Sequence, residues 1–149
     1  MRLIENSPVD TARLERLIEN PEDLCLVWPK ARIPFDHAQW REVLDAEKGC
    51  LSFWVEDEGQ LVGHAALDVA EEKHVRMVRF LFIVPEKRDR GRGGAMLELL
   101  ACYARETLEA KRLVLRVRSF NARALHCYEK SGFSAFHREG TLILMGKDI

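Results

Sequence analysis

The sequence predicts an α/β fold, a mixed sheet flanked by helices in the order ααβββαβαββ, on three observations. Apolar residues recur at helical spacing in four segments and at strand spacing, or in short continuous runs, in six others. Turn and cap residues punctuate these segments: Gly49, Asp57-Glu58-Gly59-Gln60, Pro85, Asn121 and Gly132. The 149 residues are 47% hydrophobic and 32% charged, the balance of a folded chain, with no repeat, low-complexity tract or Gly/Ser linker. A single domain over 1–149 is therefore expected. A chain this long buries roughly 70% of its unfolded surface and needs no metal or disulfide staple.

Taken in order, residues 8–19 read as a helix. Pro8 suits a first turn, and Leu14, Leu17 and Ile18 share a face. A second helix is expected over 36–48, with Asp36 as N-cap, Trp40, Val43 and Leu44 inward, and Gly49 ending it. Leu51–Glu56 and Leu61–Val69 then read as a hairpin about the polar turn 57–60. His74–Val84, almost continuously apolar from Met77, reads as a central strand buried on both faces and ended by Pro85. Helix 93–109 carries Met96, Leu99, Leu100 and Tyr103 on one stripe. Leu113–Val117 is a strand, Asn121–Ser131 a helix capped by Asn121 and closed by Gly132, and strands at about 133–138 and 141–146 follow.

Several functional classes fall away on composition. No apolar stretch has the length of a membrane span, and Met1-Arg2-Leu3-Ile4-Glu5-Asn6 lacks a signal-peptide core, so a cytoplasmic protein without membrane contact is expected. Cys25, Cys50, Cys102 and Cys127 are scattered, as reduced and mostly buried thiols would be. The five histidines show no zinc-ligand spacing, and adjacent His126 and Cys127 would diverge on a helix, so no metal site is expected.

Net charge is −1, but it is unevenly spread. Residues 1–72 hold 7 basic and 16 acidic side chains, whereas 87–123 hold 10 basic and 4 acidic. Such polarity suits an anionic ligand in the second half and a cationic one near the first, or simply a solvated surface. A motif must decide.

Val84-Pro85-Glu86-Lys87-Arg88-Asp89-Arg90-Gly91-Arg92-Gly93-Gly94-Ala95 supplies one: an apolar strand halts, a basic glycine-rich turn follows, and an amphipathic helix starts at once. Glycines let consecutive main-chain N–H groups converge without a Cβ in the way. The helix N-terminus adds partial positive charge, and Arg88, Arg90 and Arg92 add full charges, as a phosphate or pyrophosphate site requires. It is not a Walker A loop, because no G-K-S/T follows, nor a dinucleotide fingerprint, because position 96 is Met96. An R-G-R-G-G string also occurs in RNA-binding tails, though those are disordered and this one lies between two apolar elements.

Arg88-x-x-Gly91-x-Gly93 after a strand and Pro85 resembles the acyl-CoA pyrophosphate loop of the GNAT N-acetyltransferase superfamily, Q/R-x-x-G-x-G/A. Asn121-x-x-Ala124-x-x-x-Tyr128-x-x-x-Gly132-Phe133 resembles the family's N-x-x-A-x-x-x-Y-x-x-x-G-F stretch, and the two span residues 80–133. The resemblance implies a GNAT-like, mostly antiparallel sheet and an acetyl-CoA-dependent N-acetyltransferase that transfers directly to a primary amine in a ternary complex. It also implies that Leu81, Phe82, Ile83 and Val84 lie along the pantetheine arm, with a backbone N–H near Leu81 or Phe82 polarising the thioester carbonyl. Amides from Arg88 through Asp89, Arg90, Gly91, Arg92, Gly93 and Gly94 to Ala95 would hold the pyrophosphate. Asn121 would contact the cofactor or act as a plain helix cap. Tyr128 would protonate the departing thiolate as general acid, or else be an interior aromatic beside Leu125.

The chain departs from the family where a glutamate base is common: those positions are Met77 and Arg116. His64, Asp68 and Glu56 are the substitute candidates, each equally readable as a structural or surface residue, and transfer without a dedicated base stays open. Leu26–Phe35 corresponds to the family's variable acceptor region, with Trp28 and Phe35 as an apolar wall. The implied partner is a small amine or a protein N-terminal amine, with no nucleic acid and a monomer or homodimer. A non-catalytic acyl-CoA sensor and an RNA-binding module are the alternatives.

Overall fold

The computed structural model describes all 149 residues. The chain runs β1 (Arg2–Glu5), α1 (Thr11–Leu17), α2 (Pro21–Val27), α3 (His37–Val43), β2 (Leu51–Asp57), β3 (Gln60–Val69), β4 (Val75–Ile83), α4 (Arg92–Leu108), β5 (Arg112–Arg118), α5 (Ala122–Lys130), β6 (Ser134–Glu139) and β7 (Leu142–Asp148). Short 3₁₀ turns occupy Ala46–Lys48 and Pro85–Lys87. The seven strands form one sheet in the order β1-β2-β3-β4-β5-β7-β6, antiparallel except for the β4–β5 pair. The expected mixed, mostly antiparallel α/β class is the observed one.

Adjacent residues of β2 show how the helices are divided. Arg13 of α1 lies over the Trp54 ring at 4.8 Å, whereas Tyr103 of α4 meets Phe53 edge-on with ring centroids 4.8 Å apart. Successive strand residues face opposite sides, so α1 and α4 cover opposite faces of the sheet. On the α1 side, Trp28, Trp40 and Phe80 pack edge to face with centroids 4.9–5.5 Å apart, tying α2 and α3 to β4.

Four expectations need correction. The element order gains β1 and α2. β1 is a four-residue edge strand with only two apolar side chains, and pairing with β2 is what makes it a strand. α2 carries a full start signal in Asn20 as N-cap, Pro21 in the first turn, and acidic Glu22 and Asp23 after it. The helix expected over 8–19 is shorter: Asp10 caps α1 by accepting from the Arg13 N–H at 2.9 Å, and Pro8 lies outside it. The helix expected over 36–48 starts at its predicted cap but stops at Val43, and the 3₁₀ turn before Gly49 is separate. Among the cysteines, all reduced, only Cys50 is buried; Cys25 is exposed and the other two are half-buried. No helix is long and apolar enough to cross a membrane.

Candidate active site

β4 is not buried evenly on both sides as its composition suggested, because it parts from its neighbour. β4 and β5 are in register only from Val75–Met77 to Arg112–Val114, although β4 continues to Ile83. Met77, Arg79 and Leu81 are therefore only half-buried beside the gap. On its other edge β4 carries a bulge: His64 pairs with Phe82 but Ala66 with Arg79, so β4 holds one extra residue. Phe80 there has φ +53°, in the left-handed region.

His64 holds this bulge in place. Its Nδ1–H donates to the Phe80 carbonyl at 2.9 Å, and its Nε2 accepts from the Ser52 hydroxyl at 2.6 Å. Asn6 Nδ2 in turn donates to Ser52 Oγ at 3.1 Å. A carbonyl can only accept, which fixes the proton on Nδ1. Complete burial draws the His64 pKa down to about 4, so the ring is neutral.

The gap between β4 and β5 is part of a two-lobed groove. One lobe, about 700 Å³, reaches from Leu81–Ile83 to the turn before α4. The other, about 860 Å³, opens between the separated strands and is walled by Trp28 and Phe120. Leu26, Val27, Leu81, Asn121 and Tyr128 line both, so the lobes are continuous.

At the first lobe's end the main chain forms an anion nest. The Arg88 N–H bonds to Pro85 O and the Ala95 N–H to Gly91 O, but the amides of Asp89, Arg90, Gly91, Arg92, Gly93 and Gly94 have no acceptor in the protein. Asp89 and Gly91 have φ +63° and +74°, the alternation that turns successive N–H groups to one side. The seventeen-residue α4 adds its N-terminal partial charge. Gly93 also lets two helices meet, since a Cβ there would lie 2.9 Å from Cys127 Sγ on α5.

The arginine side chains are arranged differently from the sequence picture. Arg88 lines the groove, yet its Nε donates to Ile83 O at 2.8 Å and its Nη2 lies 3.2 Å from Asp23 on α2. Arg92 is committed to Asp57 at 2.8 Å, and exposed Arg90 does not line the groove. Arg123 and Lys130 of α5, unremarked in the sequence, do line it. Among the strand residues, Leu81, Phe82 and Ile83 border this lobe, while the Val84 N–H is spent on Val62 O at 2.9 Å.

Tyr128 stands where the lobes join, its hydroxyl without a protein partner. Burial pushes its pKa well above the usual phenol value, so it stays protonated. Asn121 caps α5, its Oδ1 accepting from the Ala124 N–H at 3.3 Å, and also borders both lobes. None of the three substitute bases lines the groove. His64 is sealed in the core, Asp68 is paired with Arg79 at 2.8 Å, and Glu56 with Arg2 at 2.8 Å. Met77 and Arg116 do border the second lobe, as do Trp28, Pro29 and Lys30. Phe35 instead stacks on Trp40 at 5.6 Å, so the wall is Trp28 without Phe35. No group of three or more His, Cys, Asp or Glu side chains is placed to hold a metal ion.

The sequence model of the acetyltransferase (GNAT) family matches residues 14–133, and the chain belongs to that family. Solved structures of the same fold include an aminoglycoside acetyltransferase in complex with coenzyme A, with a TM-score of 0.82, 19% identity, and coverage of 99% of this chain and 94% of the other. A spermidine N-acetyltransferase from Vibrio cholerae, in complex with CoA and spermine, has a TM-score of 0.77 at 19% identity, covering 98% and 94%. An N-acetyltransferase from Campylobacter jejuni has a TM-score of 0.72 at 17% identity, covering 99% and 96%. No curated protein matches the chain significantly.

Proposed function

We propose that this chain is an N-acetyltransferase that moves the acetyl group of acetyl-CoA directly to a primary amine within a ternary complex. The observation that carries this reading is the run of six unpartnered amides, Asp89 to Gly94, at the end of a groove that passes Tyr128 into the β4–β5 gap and is lined by Asp89, Gly91, Gly93 and Gly94. Those amides would take the pyrophosphate, with Leu81, Phe82 and Ile83 along the pantetheine and the Nδ2 of Asn121 as a further contact. Acetyl-CoA supplies the activated thioester. Tyr128, kept protonated by burial, would donate a hydrogen bond to the sulfur as negative charge develops there. The amine would lose its proton to water, since Glu22 is the one carboxylate bordering the second lobe. Lys30, Arg116 and Arg118 around it would lower an ammonium pKa by like-charge repulsion and ease that loss.

That scarcity of bases also favours a second reading, a sensor that binds acyl-CoA without turnover. RNA binding has less support, because Arg88 and Arg92 are already paired with Asp23 and Asp57. Thermal denaturation with CoA at a hundredfold excess over Kd tests the cofactor assignment. The expected rise is on the order of 5–10 °C, and no rise with CoA but a rise with RNA would overturn it. Thiol release from acetyl-CoA across neutral, anionic and cationic amines, aminoglycosides and spermine included, then separates enzyme from sensor: CoA binding with no release for any amine leaves the sensor.

A further inference from the structure

We propose that the acceptor is an amine whose own molecule carries an anionic group, a carboxylate or phosphate, seated by Arg116 and Arg118 of β5 with Lys30 opposite. This rests on reading the second lobe as the acceptor side of an acetyltransferase groove, and it deepens that reading by naming the substrate class.

The acidic first half of the sequence suggested a cationic acceptor, but the folded lobe has the other sign. Four cations border it, Lys30, Arg79, Arg116 and Arg118, against Glu22 alone. Arg79 is neutralised from outside by Asp68. Arg118 donates to the Thr141 hydroxyl at 3.1 Å, a neutral partner that leaves its charge unbalanced. The side chains of Arg116 and Lys30 have neither an ion pair nor a hydrogen bond, and Glu22 pairs with none of them.

Arg116 and Arg118 are two residues apart on one strand, so their side chains leave the same face about 7 Å apart. Two guanidiniums at that spacing suit one carboxylate or phosphate, each offering a planar pair of N–H donors. Buried Trp28 and half-buried Leu142 line the same lobe and make that side of it apolar, while Arg116 and Phe120 are exposed. The same field repels a polycation.

The test is binding to the CoA-loaded protein, where no transfer can occur, by calorimetry on matched pairs: glycine against glycinamide, and O-phosphoethanolamine against ethanolamine, with spermine as the polycation. At least one anionic member should bind about tenfold or more tightly than its neutral partner, equivalent to about 1.4 kcal/mol, and the larger ratio identifies the anion. The advantage should shrink in 1 M salt. R116Q/R118Q should abolish the preference and R116E/R118E reverse it, with CoA affinity and melting temperature unchanged. Tighter binding of the neutral amines or of spermine, no measurable binding of either anionic amine, a preference that survives both variants, or a loss of CoA affinity in them overturns the proposal. Anionic amines that bind but are never acetylated count against the transferase reading alone.

Discussion

Tyr128 illustrates how a side chain's surroundings select its chemistry. A phenol of ordinary pKa about 10 facing a thiol of about 8.5 would transfer its proton uphill, and burial raises the phenol further. In the proposed transfer it would donate a hydrogen bond as charge reaches the sulfur, with complete proton transfer following as the thiolate is itself desolvated. Tyr128→Phe should lower kcat about 100-fold while CoA affinity, measured by calorimetry, changes less than about twofold; an unchanged kcat would remove Tyr128 from the mechanism. The Asn121 cap could be marked from its local helix pattern, whereas Tyr128 was marked only by the family resemblance, its own pattern reading as an interior aromatic. His64 could not be resolved that way. A histidine on a strand reads equally well as a base or a core residue, and its two partners, Ser52 and the Phe80 carbonyl, lie 12 and 16 residues away.

At the scale of elements, the glycine-rich turn has two separate constraints. Gly91 needs its positive φ, with open space around the position, whereas Gly93 sits against α5. Gly93→Ala should therefore cost about 1 kcal/mol of stability in urea denaturation. In a Cys127→Ala background, which removes the facing sulfur, the same change should be neutral or mildly stabilising, as alanine is in a helix. Additivity of the two substitutions within about 0.5 kcal/mol would show that the contact does not matter. The strand–turn–helix order around this turn was legible because each piece has its own local signal. α2 had one too, but its seven residues follow so closely on α1 that the stretch read as helix end and loop. β1 had almost none, since an edge strand of four residues is defined by its hydrogen-bonded neighbour.

Across the whole molecule, the charge imbalance between the two segments closes only in part. Asp23 meets Arg88 and Asp57 meets Arg92, two pairs that bring residues 1–72 to residues 87–123, while Asp68 meets Arg79 between them. The chain Asn6–Ser52–His64–Phe80 likewise joins the sheet from beyond β1 to β4 and gives stability a pH dependence. His64 titrates near 4 folded and near 6.5 unfolded. The unfolded chain therefore takes up the proton first as pH falls, and stability drops across that interval by about 3 kcal/mol. Asp57, held low by Arg92, would add its loss only below the ordinary carboxylate value of 3.8. Urea midpoints at pH 7 and pH 4.5 should show the decline, and His64→Gln should flatten it; equal slopes in both proteins would show that another group is responsible.

The sequence by itself determined the α/β class, the turn that ends β4, the caps of α3 and α5, and the family, because each is written in residues close together along the chain. Only the tertiary structure decided that β4 and β5 separate, that His64 is a core residue, that Arg88 and Arg92 are already paired, and that the second lobe is basic. Those facts depend on which side chains meet across the sheet, and a charge or an imidazole acquires its role from neighbours that local pattern does not specify.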